Sequence, residues 1–220
     1  MFHLPLTPQA ADEYFCRRDW ILDLQRDPLA ADSWHWPGKY GYTAKGFYNI
    51  MHSHMPTDQS CAWIWRSKCT MKIKVFGWLL MFDRLNTKDL LVRRHWRPPT
   101  EDNSCVMCHS HDLDDRMHLF FSCNFSCRVW NYLQITWGAN GSLHSCLQQA
   151  KDSFGQSFFM EVMLTASWCI WIVRNGKTFR NEKPSFHSWR MHFVHDITLL
   201  SHRLQGDPKN RLISWINSLH

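Results

Sequence analysis

Four residues at a fixed spacing constrain this chain more than any other feature: Cys105-x2-Cys108-x9-His118-x4-Cys123. Two thiols separated by two residues grip one ion from a single tight turn, and a histidine and a third cysteine further on close a tetrahedron. Soft thiolates with one imidazole favour zinc over magnesium or calcium. Four protein ligands leave no open coordination position, so the expected site holds one structural Zn2+ and no catalytic residue. Residues 100–125 contain few core side chains, and small sites of this kind bind zinc with about 10–16 kcal/mol apparent. The metal therefore decides whether that segment folds. The competing reading is a reduced, metal-free cysteine-rich loop. His109, His111 and Cys127 compete locally for the fourth ligand position; the histidines read as solvated loop residues and Cys127 as a core thiol on the following helix.

The remaining cysteines support a reducing compartment. Nine is an odd number, so they cannot all pair within one chain. The start, MFHLPLTPQAADEYF, lacks a basic segment followed by an apolar run, so no secretory signal is expected. The longest apolar stretch, Val75–Phe82, falls far short of the roughly 18–20 residues a membrane span needs. An intracellular chain without a membrane is expected, with nucleus and cytoplasm left open.

Charge is uneven along the chain. Between Arg66 and Arg97 nine basic residues face only Asp83 and Asp89, so this segment outweighs the formal +6 of the whole sequence. Lys72, Lys74, Arg84, Lys88, Arg93 and Arg94 are the candidate phosphate contacts, with Trp63, Trp65, Trp78 and Trp96 available to stack bases. The bland alternative has these lysines solvating helix faces and the tryptophans filling a core.

Periodicity predicts a mainly α chain: short helices around a small Cys3His zinc knuckle, followed by a C-terminal helical unit. Pro37, Gly38 and Gly41 set a turn, Thr43 caps a helix carrying Phe47, Tyr48, Ile50 and Met51, and Pro56 ends it. Helices are expected over Lys72–Leu85, from Thr87 to Arg94, from an Asn124 cap to Leu133, over Phe158–Phe179 and from Ser185 to Leu204, with a last one capped by Asp207. The expected layout is a loosely ordered segment at 1–33, a zinc-binding domain at 34–137, a linker at 138–155 and a helical region at 156–220. Cys105 to Cys123 reads as irregular, with Asp114-Asp115 as solvated loop charge.

Over residues 34–137 the order of motifs resembles the zinc-binding domain that follows the reverse transcriptase of plant non-LTR (LINE-type) retrotransposons. The stretches that carry it are Trp36…Gly41-Tyr-Thr-Ala-Lys-Gly-Phe-Tyr48, Trp63-Ile-Trp, Lys72-Ile-Lys-Val-Phe-Gly-Trp-Leu-Leu80, Asp83-Arg-Leu-Asn-Thr87, Cys105-x2-Cys108 and His118-Leu-Phe-Phe-x-Cys123. Trp168-Cys-Ile-Trp171 through Asn175 is similar to the tail that often follows this domain. The family's acidic residue four before the histidine is Asp114 here, while His109 stands where a glycine is usual.

The resemblance implies a stand-alone fragment of a retrotransposon polyprotein that binds zinc and RNA or DNA. Its partners would include a reverse transcriptase core or another element-encoded chain. The only Asp-Asp, Asp114-Asp115, lacks the aromatic-x-Asp-Asp context in which a polymerase holds magnesium, so no enzymatic activity is expected. Two other classes stay open: a structural or protein-interaction domain, and a degenerate fragment with no independent biochemical activity.

Overall fold

The computed structural model describes residues 7–23, 42–55, 58–98, 100–108, 110–138 and 141–219. The expected turn at 34–41, Pro56 and His109 lie outside them. The described chain is mainly helical, with no strand among these residues and one isolated antiparallel bridge, Ser104 to Leu113. It divides into two compact units, Met1–Met55 and Pro56–His220.

The first unit contains α1 (Pro8–Leu22) and α2 (Ala44–Met51). Thr7 caps α1 through the Ala10 amide with Pro8 at the start, and Thr43 caps α2 through the Gly46 amide. A helix thus stands inside the segment expected to be loosely ordered, although neither helix buries a residue. Good caps set local conformation without supplying a core.

The second unit is organised around α8 (Phe159–Arg180), which is apolar on most sides and accordingly buried for most of its length. Packed against it are α3 (Gln59–Arg66), α4 (Met71–Met81), α7 (Leu143–Phe154) and α9 (Phe186–Ser201), while α10 (Asp207–Ser218) packs on α9. The α9 stripe Trp189, Phe193, Ile197 and Leu200 is buried, and Trp189 donates its indole N–H to the Ala166 carbonyl at 3.2 Å. At Gly77 an added Cβ would come within 2.4 Å of Leu164 Cδ2, so the missing side chain lets α4 approach α8 closely.

Several boundaries depart from expectation for local reasons. Helix α7 occupies most of the expected linker: Ser142 caps it, Gly155 closes it at φ 66°, and Cys146, Leu147 and Ala150 face the core. Leu143, Cys146, Leu147, Ala150 and Phe154 fall at helical spacing, a period diluted by the seven polar residues among its twelve. Helix α6 (Asn124–Tyr132) has Cys123 and not Asn124 at its cap, because Cys123 is still extended where the chain enters the helix. Gly206, and not Asp207, takes the cap position of α10 with a left-handed φ of 66°. The fifth helix, α5 (Lys88–Arg93), starts from the Thr87 cap as expected.

Candidate metal centre

The knuckle starts as a loop closed by two backbone bonds, Cys105 N–H to Asp112 O at 2.8 Å and Asp114 N–H to Asn103 O at 2.9 Å. Inside it the Met107 amide points at Cys105 Sγ at 3.4 Å, an arrangement that favours a thiolate. Asp115 then starts a helical segment by accepting the His118 amide at 2.7 Å. This segment was expected to be irregular. Instead it contains a widened turn, His118–Ser122, closed by Cys123 N–H to His118 O at 2.7 Å. Residues five apart on an α-helix stand about 140° apart around its axis. Widening the turn brings them toward one side, which is how a His-x4-Cys spacing converges on one point.

The four donor atoms, one each from Cys105, Cys108, His118 and Cys123, all lie within 4.8 Å of one another. Cys105 Sγ is 3.9 Å from Cys123 Sγ, and Cys108 Sγ is 3.2 Å from His118 Nε2. A tetrahedral zinc with Zn–S near 2.3 Å has sulfur–sulfur edges of about 3.8 Å, so the thiol pair is at ligand spacing and the sulfur–nitrogen edge is slightly tight. Cys105, Cys123 and His118 are buried and Cys108 is half-buried. Sharing a proton with Cys123, together with burial, pushes the Cys105 thiol well up, while the same contact pulls Cys123 down. Three thiols and an imidazole converging in a nearly dry pocket fit zinc by donor type, number and spacing.

Two further groups orient these donors. Ser110 Oγ lies 2.8 Å from Cys108 Sγ, and the Asp112 carboxylate lies 3.5 Å from His118 Nδ1. With Nδ1 toward a carboxylate, Nε2 is the nitrogen aimed at the thiols. A carboxylate behind a ligating histidine fixes tautomer and ring orientation, and its loss typically costs 10–100-fold in metal affinity. Asp112→Ala is therefore expected to weaken zinc binding by about ten-fold, read by competition with a chromogenic chelator. Unchanged affinity would mean the carboxylate is a bystander.

Of the competing ligands, Cys127 turns away and contacts the Phe121 carbonyl at 3.4 Å, and His111 is exposed outside the cluster. Asp114 is not a solvated charge. It is fully buried, pairs with the buried Arg174 of α8 and receives the Lys88 amide at 3.4 Å. The pairing partner lies 60 residues along the chain, beyond any local signal. Arg116 completes the anchoring by donating to the Met81 carbonyl at the end of α4 at 2.7 Å.

The six candidate phosphate contacts separate. Lys88 is buried, its ammonium bonded to the Ser104 carbonyl at 2.9 Å and near Asp102 at 3.8 Å, so it braces the knuckle and does not face solvent. Arg93 is exposed but bridges Asp83 and Asp89, each at 2.7 Å. Lys72 is exposed with its ammonium 4.6 Å from the Trp168 ring centre; Lys74 is half-buried and donates to the Trp65 carbonyl at 2.9 Å. Arg84 is exposed, and half-buried Arg94 stands over Trp96 at 5.8 Å. Trp65, Trp78 and Trp96 are exposed, while Trp63 stacks on His144 with ring centres 5.7 Å apart.

A family model described as zinc-binding in reverse transcriptase matches residues 42–130, a stretch that contains all four clustered donors. No curated protein and no solved structure matches the chain. Among the described residues no helix is long and apolar enough to cross a membrane.

Proposed function

We propose that this chain is a nucleic-acid-binding module held together by one structural Zn2+ at Cys105, Cys108, His118 and Cys123. It derives from a plant LINE-type retrotransposon polyprotein and has no polymerase activity of its own. The observation that carries the zinc reading is the convergence of three thiols and one imidazole within 4.8 Å, inside the matched stretch. When bound, the ion would crosslink the loop that bears Cys105 and Cys108 to the widened turn that ends at Cys123. The domain layout of the reading keeps the knuckle in 34–137 and the helical region in 156–220, in an intracellular protein that works beside a reverse transcriptase core or another element-encoded chain.

Support for RNA or DNA binding is the surplus of basic groups. Arg93 engages both Asp83 and Asp89, and among the described residues Lys72, Lys74, Arg84 and Arg94 form no ion pair. Phosphate contacts of this kind release counterions, so affinity for single strands should fall with salt by a slope of about −0.7 per phosphate engaged. The test titrates RNA and single-stranded DNA oligonucleotides with the zinc-loaded chain at two salt concentrations. Steep salt dependence, reduced in the Lys72→Ala/Lys74→Ala variant, is expected. Binding that is absent or indifferent to salt removes the nucleic-acid part. Equal zinc content in wild type and Cys108→Ser removes the metal part independently.

A further inference from the structure

A cleft of about 460 Å³ opens among α4, α8 and α9, within the size range of small-ligand sites. Its walls include Lys72 at the start of α4, Trp168 of α8, and Asp196, Leu199, Leu200 and Arg203 along α9 and its closing turn. The last four recur at helical spacing and share one face. The Arg203 N–H donates to the Leu200 carbonyl at 2.8 Å, which carries the helical path just past the end of α9. Asp196 and Arg203 therefore stand two turns apart, about 10 Å along the axis, with the leucines between them. Among the described residues neither side chain makes a hydrogen bond or an ion pair, although Asp196 is half-buried. The Lys72 ammonium lies 4.6 Å from the Trp168 ring centre. A ring face holds an ammonium without accepting a conventional hydrogen bond, so its N–H groups stay available to an anion.

These groups select a ligand with hydrogen-bond donors at one end and an anion at the other. An ionised carboxylate only accepts, so Asp196 needs donors facing it. Guanine offers two side by side on its pairing edge, N1–H and the N2 amino group. Adenine, cytosine and uracil each put an acceptor next to their donor, and that acceptor would face the carboxylate. An arginine side chain of a protein could fork onto Asp196, but it would bring a third cation toward Lys72 and Arg203. A nucleotide instead carries a phosphate about as far from its pairing edge as Arg203 stands from Asp196, and its flat base suits walls of leucine and indole. Resting on the nucleic-acid reading above, we infer that the cleft binds one unpaired guanine nucleotide of a single strand. Its pairing edge lies on Asp196 and its phosphate at Arg203 and Lys72.

The test titrates the full zinc-loaded chain with short oligouridine strands that differ at one central base: guanine, adenine, hypoxanthine or 7-deazaguanine. The guanine strand is expected to bind about ten-fold more tightly than the adenine strand. The 7-deazaguanine strand, which keeps both donors, should match guanine, and hypoxanthine, which keeps one, should fall between. Asp196→Asn should erase the preference among bases. Arg203→Ala should weaken the guanine strand and lower its salt slope by about 0.7. The base series is read on the wild-type chain, so it decides the matter even where a variant misfolds. Salt-dependent binding with no preference among the bases overturns the guanine site and leaves the nucleic-acid reading standing; no binding of any strand removes both. A preference lost with 7-deazaguanine, or one that survives in a folded Asp196→Asn chain, also overturns the assignment, since the base is then read elsewhere.

Discussion

Arg174→Met is expected to destabilise the chain by about 3–5 kcal/mol, measured as the shift in urea unfolding free energy of the zinc-loaded protein. The size follows from burial. Arg174 and Asp114 are 2% and 0% exposed, and the Lys88 amide at 3.4 Å is the other donor to Asp114 Oδ2. Removing the guanidinium leaves a carboxylate without water and with one weak hydrogen bond. The cost is that of an unpaired buried charge and exceeds the net worth of the pair. Replacing both partners with apolar residues, Arg174→Met/Asp114→Leu, should therefore recover most of the loss. A shift below about 1 kcal/mol for Arg174→Met would mean that Asp114 has another partner or is protonated. The same variant should also release zinc more readily, because Asp114 sits between the two halves of the knuckle.

That prediction bears on the length of the folding unit. Asp114 lies within the matched stretch, 42–130, and Arg174 lies beyond it. A fragment ending at residue 130 would expose Asp114 and strip the core helix α8 from α4. The knuckle is tied to α8 by this buried ion pair, although the cysteines that define the knuckle all precede residue 124.

What could be read from the sequence divides along the range of the interaction. Thr43 and Thr87 cap where expected, because a cap is decided within three residues. Helix α8 was legible because a long segment apolar on most sides has nowhere to go but inside. The four donors were legible because ligand chemistry and spacing are local. Lys88 and Asp114 were not, since both were assigned to solvent by their type. Their burial rests on the Ser104 carbonyl and on Arg174, neither of which leaves a trace in the neighbouring sequence. Helix α4 was legible as a helix over Lys72–Leu85, though it ends four residues earlier, at Met81.

Removing the metal should separate these layers. With a strong chelator under reducing conditions, amide exchange of residues 102–123 is expected to accelerate by several orders of magnitude, while the buried amides of α8 and α9 stay protected. Small structural sites bind zinc with about 10–16 kcal/mol apparent, so the knuckle cannot close without it. Its own apolar contribution is modest: between Cys105 and Cys123 the buried hydrophobic side chains other than the ligands are Met107, Leu119 and Phe120. The helical body has a separate source of stability. Trp189, Phe193, Ile197 and Leu212 are fully buried among α8, α9 and α10, none of which carries a ligand. The anchors between the layers, Asp114 to Arg174 and Arg116 to the Met81 carbonyl, predict an intermediate response at the end of α4 and at Arg174. Circular dichroism should accordingly lose only part of its helical signal on chelation and regain it with one equivalent of Zn2+, and Cys108→Ser should resemble the chelated wild type. Complete unfolding on chelation would show that the helical body depends on the metal as well. No change in exchange across 102–123 would remove zinc from the account of this fold.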